Sequence, residues 1–126
     1  LVGSEMCIRD SVRCDSKWTV EALGNIVDNA IKYTACGGNV QIKVEQYSFF
    51  VKIDIIDDGI GIEKEEIPKI FGRFYRSLSV ADQPGVGIGL FLAREIIQAQ
   101  KGYIKVTSKR GKGSTFSVFL PIAKKE

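Results

Sequence analysis

Two apolar alternations joined by a short link constrain this chain most. Val40, Ile42 and Val44 alternate with Gln41, Lys43 and Glu45, and Val51, Ile53 and Ile55 alternate with Lys52 and Asp54. A period of two places one side of each segment in a core and the other in water, as in a half-buried strand. The link around Tyr47-Ser48 suits an antiparallel hairpin. A second pair, Tyr103–Ser108 and Ser114–Leu120, turns through Gly111-Lys112-Gly113.

Helical periodicity fills the rest. Asp15 or Ser16 caps a helix expected from about Lys17 to Tyr33. Its apolar stripe is Leu23, Ile26, Val27, Ala30, Ile31 and Thr34, and Cys36-Gly37-Gly38 ends it. A short helix is expected from Glu63 to Ile70. A further helix runs from near Gly87 to about Gln100, with Leu90, Ala93, Arg94 and Ile97 on related faces. Val12 to Cys14 is a candidate short strand, and residues 77–84 read as a polar loop. Helices and strands in blocks, with hairpins, imply an α+β fold. The expected architecture is a two-layer α/β sandwich with a mixed, largely antiparallel sheet and helices on one face. Residues 1–11 carry no periodicity and stand apart, and residues 12–126 read as one domain.

Composition removes several function classes. The net charge is only +3 and acidic residues interrupt the basic ones, so no stripe tracks a nucleic-acid backbone. No apolar run approaches the length of a membrane span. Three cysteines with no zinc spacing and no histidine argue against a metal finger and suit a reducing compartment.

Four segments carry chemistry. Glu21, Asn25, Asp28, Asn29 and Lys32 fall on one helix face. Such a face is ordinarily just solvated. Asn is a poor residue for a helix interior, so two of them one turn apart point to work for their amide oxygens, such as binding a hard cation. Asp57 continues the Val51-Ile53-Ile55 parity and so aims inward if the strand reaches it. A buried carboxylate needs a donor, and an adenine amine would supply one. The plainer reading is an Asp that opens the Asp-Gly turn. Gly59 and Gly61 would let a flat ligand approach. Gly85-Val86-Gly87-Ile88-Gly89-Leu90 opens a helix, where free N–H groups favour anions. Gly111-Lys112-Gly113-Ser114-Thr115-Phe116 taken alone is a hairpin turn.

In this order the segments resemble the GHKL superfamily of ATP-binding domains, which includes histidine kinases and DNA gyrase. Within it they resemble the catalytic ATP-binding domain of a sensor histidine kinase, over about Val12 to Pro121. Asn25 to Thr34 looks like the N box, Asp57 to Gly61 the G1 box, Ile70 to Arg76 the F box, Gly85 to Leu90 the G2 box and Gly111 to Phe116 the G3 segment. The resemblance implies a Bergerat-type fold. Asn29 would hold Mg²⁺, Asn25 would lie close by, Lys32 would neutralise phosphate charge and Tyr33 would pack near the nucleotide. Asp57 would accept from the adenine amine, with Gly59, Gly61 and Ile62 around it and Tyr75 in the site. The backbone from Gly85 through Val86, Gly87, Ile88, Gly89 and Leu90 would wrap the phosphates of ATP. Thr115 would reach adenine through a water, residues 77–84 would form a lid, and Arg73 and Arg76 would stabilise charge in transfer.

The resemblance also implies partners. The acceptor would be a histidine on a separate dimerisation domain of the parent kinase, with a response regulator downstream. This would be the cytoplasmic domain of a membrane sensor, itself touching neither membrane nor nucleic acid. ATP-hydrolysing members carry Glu where this chain has Asn25, and an amide cannot accept a proton from water. Three features depart from the pattern: Gly72 in the F box, Gln100-Lys101-Gly102 in place of His-Gly-Gly, and no evident strand before Val12. A GHKL serine kinase and a nonenzymatic docking module are the competing readings.

Overall fold

The computed structural model describes residues 16–34, 38–72 and 89–122. The elements are α1 (Ser16–Tyr33), β1 (Val40–Gln46), β2 (Phe50–Asp57), a 3-10 turn (Ile67–Lys69), α2 (Gly89–Ala99), β3 (Tyr103–Lys109) and β4 (Gly113–Pro121). The four strands form one sheet in the order β1-β2-β4-β3, every neighbouring pair antiparallel. Both helices lie on one face, so the molecule is a two-layer α+β sandwich. The candidate strand at Val12 to Cys14 lies outside the described residues.

Parity sets the layers. Val51, Ile53 and Ile55 of β2 and Phe116, Val118 and Leu120 of β4 point to the helices and are essentially sealed from water. Ile42, Val44, Ile104 and Val106 flank them on the two edge strands. The helices answer with Ala22, Ile26 and Ala30 of α1 and Leu90, Ala93 and Ile97 of α2. The small Ala residues let the helices approach the sheet and each other, and the Thr19 hydroxyl donates to Gln100 across them at 3.2 Å.

The outer face is kept partly dry by its own side chains. Tyr103 stacks on Phe119 with centroids 4.4 Å apart, Phe119 meets Phe50, and Phe50 stacks on Tyr47. Beside this ladder Asp54 accepts from the Ser117 hydroxyl at 2.6 Å and faces Lys52 at 3.5 Å, which satisfies a carboxylate that is otherwise buried.

Two expectations need correction. Glu63 to Ile70 is not a helix: the chain makes turns and then only the 3-10 turn. Pro68 has no N–H and disfavours α geometry at Ile67, so mostly i→i−3 bonds form, such as Lys69 N–H to Glu66 and Gly72 N–H to Lys69. Ile31 is 57% exposed and lies off the apolar stripe. The buried line of α1 instead runs Thr19, Ala22, Ile26, Ala30 and Tyr33, with Leu23 and Val27 half-buried at its flank. The described part of α2 runs Gly89–Ala99, and its expected start near Gly87 lies outside the described residues.

The departure at Gln100-Lys101-Gly102 has a local geometry. The Gly102 N–H bonds the Ile97 carbonyl and the Lys101 N–H bonds that of Gln98, the two bonds of a Schellman cap. The cap residue, Lys101, is left-handed with φ 68°. Glycine usually holds that place.

Candidate functional site

The site is assembled where the C-terminal half of α1 meets the end of β2, the start of α2 and the β3–β4 turn. Asn25 and Asn29 are half-buried on α1, while Lys32 is exposed on its last turn. Gly89 lies over Asn25: a β-carbon added there would sit 3.8 Å from the Asn25 Cβ. The start of α2 and the Asn-bearing face are therefore in van der Waals reach. The Asn29 Nδ2 is buried with no hydrogen-bond partner among the described residues.

β2 does reach Asp57, which is 3% exposed. Its Oδ1 accepts from the Gly59 N–H at 2.9 Å, and its Oδ2 is buried without a partner among the described residues. Burial pushes the carboxyl above its usual range. The N–H groups of Gly59 and Ser114 act in the opposite sense, and the Asp58 charge adds to the rise. Oδ1 is thus held by the Gly59 N–H, while Oδ2 has no hydrogen-bond partner among the described residues.

Backbone packs on backbone around it. A β-carbon on Gly59 would lie 2.1 Å from the Tyr33 carbonyl oxygen, and one on Gly113 would lie 2.1 Å from that of Asp57. No side chain fits either place, and Gly113 in addition has φ 104°. Gly61 abuts Lys109 in the same way. Hydrogen bonds complete the seam: Ile60 N–H to the Tyr33 carbonyl, Gly111 N–H to that of Ile60, and Ile62 N–H to the Ser108 hydroxyl. Tyr33, Ile62 and Leu90 are all buried.

Thr115 is placed on the wrong face for the contact expected of it. It pairs with Ile56 and Thr107, and alternation sends all three side chains to the outer face. The residue directly across from Asp57, on the inner face, is Ser114, which is 3% exposed. Its hydroxyl lies 2.7 Å from that of Ser108. Sequence reasoning passed over Ser114, although it shares parity with Phe116, Val118 and Leu120. Arg73, Tyr75, Arg76, Gly85, Val86, Gly87 and Ile88, and the lid at 77–84, lie outside the described residues.

The described residues bring together no cluster of three or more carboxylate or thiolate groups. A hard cation here would take neutral amide oxygens and the ligand's own phosphates. The Asn29 amide suits that role, because a half-turn exchanges its oxygen and nitrogen without changing its shape.

Comparison with known proteins gives concordant results. The family model described as "Histidine kinase-, DNA gyrase B-, and HSP90-like ATPase" matches residues 14–124. The sensor histidine kinase WalK of Bacillus subtilis is 39% identical over 114 residues, covering 87% of this chain and 19% of WalK. The chain thus spans about a fifth of that relative. Among solved structures, the mycobacterial sensor histidine kinase MprB superposes with a TM-score of 0.81 at 30% identity, covering 88% of this chain and 76% of that one. The catalytic domain of histidine kinase ThkA gives 0.77 at 27% identity, covering 95% and 87%.

Proposed function

This chain belongs to the histidine kinase-, DNA gyrase B- and HSP90-like ATPase family, as a catalytic ATP-binding domain of the sensor histidine kinase kind, and we propose that it acts as the Mg-ATP-holding phosphoryl donor of a two-component kinase. The Oδ2 of Asp57, buried with no hydrogen-bond partner among the described residues, carries this reading. A buried carboxylate oxygen with no donor is costly, and an adenine amine is a donor of the right kind.

The phosphates would lie toward the start of α2, where its N–H groups and dipole favour anions, with Lys32 as a nearby cation. Asn29, with Asn25 close by, would give amide oxygens to Mg²⁺, whose charge would offset that of the phosphates. Arg73 and Arg76 would stabilise charge during transfer, and Tyr75 would pack on the nucleotide. Ser114 takes the adenine-side role in place of Thr115, because it shares a face with Asp57. Transfer would then rest on positioning and charge neutralisation.

The acceptor would be a histidine on a dimerisation domain of the parent kinase, since these 126 residues contain none. A response regulator would receive the phosphoryl group next. The domain would face the cytoplasm beneath a membrane sensor. Among the described residues no helix is long and apolar enough to cross a membrane.

The test is titration calorimetry with Mg-ATP on the wild type, Asn29→Asp and Asp57→Ala. Binding by the wild type and its loss in both variants is the expected result. No heat from a folded wild type would end the proposal. Mixing the chain with the dimerisation domain and labelled ATP should give acid-labile phosphate on that partner, whereas acid-stable label would point to a serine acceptor.

A further inference from the structure

We propose that Ser108, which lies outside every nucleotide-binding motif of the sequence, is a positioning residue for adenine recognition. It clamps together the two segments that hold Asp57. The inference rests on the reading of Asp57 as the adenine acceptor.

A hydroxyl has one hydrogen to donate and two lone pairs to accept with. At Ser108 all three are used. The Ile62 N–H donates to Oγ at 2.7 Å, Oγ lies 3.0 Å from the Gly113 carbonyl, and the Ser114 hydroxyl lies 2.7 Å away. One arrangement satisfies every group: Ser108 accepts from Ile62 and from Ser114 and donates to Gly113. Ile62 closes the loop that leaves Asp57, and Gly113-Ser114 opens the strand that faces it. Gly113 is pressed against the Asp57 carbonyl, and the Ser114 N–H acts on the Asp57 carboxylate. One side chain on β3 therefore fixes both walls around that carboxylate without touching it.

Removing the hydroxyl would leave the Ile62 N–H, on a residue 3% exposed, with no acceptor. The loop would shift to find one, and Asp57 would lose its aim at the purine amine. The phosphate end, formed by α1 and α2, would be untouched.

Inosine triphosphate is the probe that separates these ends, because it keeps the ribose and phosphates but has a carbonyl where adenine has its amine. Affinities for Mg-ATP and Mg-ITP are measured for the wild type, Ser108→Ala and Ser108→Thr, with circular dichroism to verify folding. We expect Ser108→Ala to weaken ATP about tenfold and ITP by less than about twofold, so that preference for ATP collapses. Ser108→Thr, which keeps the hydroxyl, should recover the wild-type preference. If Ser108→Ala does not fold, Ser108→Cys carries the same comparison, because it keeps the volume and weakens the acceptor.

An unchanged ATP-to-ITP ratio in the hydroxyl-free variant overturns the proposal, whether both affinities persist or both fall together. Failure of the underlying reading shows separately: a wild type that does not prefer ATP to ITP removes Asp57 as the adenine acceptor, and this proposal with it.

Discussion

Asp57 meets two opposed demands. A carboxyl accepts most strongly from a ligand when ionised, yet burial raises its pKa above the ordinary 3.8. The folded chain therefore holds this proton more tightly than the unfolded chain. Its contribution to stability falls as pH rises from about 3.8 through the raised value, and is flat above that. Asp57→Asn removes this dependence. In urea unfolding the apo wild type should gain on the variant as pH is lowered through that window. At pH 7 the variant should be no less stable, while binding Mg-ATP at least about tenfold more weakly. Equal affinity for ATP in the two proteins would contradict the assigned role. Lys101 offers a simpler case. Left-handed geometry at a residue with a β-carbon costs roughly 1 kcal/mol, so Lys101→Gly should stabilise the chain by about that much in denaturant melts. No gain would mean that the Lys side chain offsets the strain.

At the scale of elements, alternation located all four strands to within a residue or two, because the one-sided core enforces parity along each of them. The same rule would have chosen Ser114 over Thr115, had the parity of Phe116 and Leu120 been carried back to the turn. The missed 3-10 turn has a local cause in Pro68, legible but underweighted. Ser108 left no local signal, because its partner Ile62 is 46 residues away. The β3–β4 turn allows a paired test of backbone contact against backbone conformation. Gly111 has φ 83° and open space around it, whereas Gly113 has φ 104° and the Asp57 carbonyl in the way. Gly111→Ala should cost about 1 kcal/mol, and Gly113→Ala about 3 kcal/mol or more, with loss of ATP binding. Similar unfolding midpoints for the two variants would refute the contact argument.

For the whole molecule, the two-layer arrangement was readable because hairpins and amphipathic helices leave few other ways to bury one face of each. How the segments converge was not readable, since the seam between Tyr33, Ile60 and Gly111 joins parts distant in sequence. If nucleotide binds only the folded chain, Mg-ATP at a hundredfold excess over Kd adds about 2.7 kcal/mol, which raises Tm by about 8–12 °C for a domain of this size. An unmoved melting curve would argue against binding. Asn25 bears on the fate of bound ATP. Asn25→Glu installs a general base one helical turn from Asn29, and ATP turnover in phosphate-release assays should rise at least about tenfold. Unchanged turnover would show that something other than the missing base limits hydrolysis.

The seam of glycines has a consequence for how such a domain can change over generations. Where carbonyl oxygens stand about 2 Å from each missing β-carbon, as at Gly59 and Gly113, substitution has only two settings, intact and broken. Selection for looser or tighter nucleotide holding has no small steps to take there. Gradual tuning falls instead to neighbours such as Ser108 and Ser114, where one hydroxyl can be exchanged for another and the floor itself stays in place.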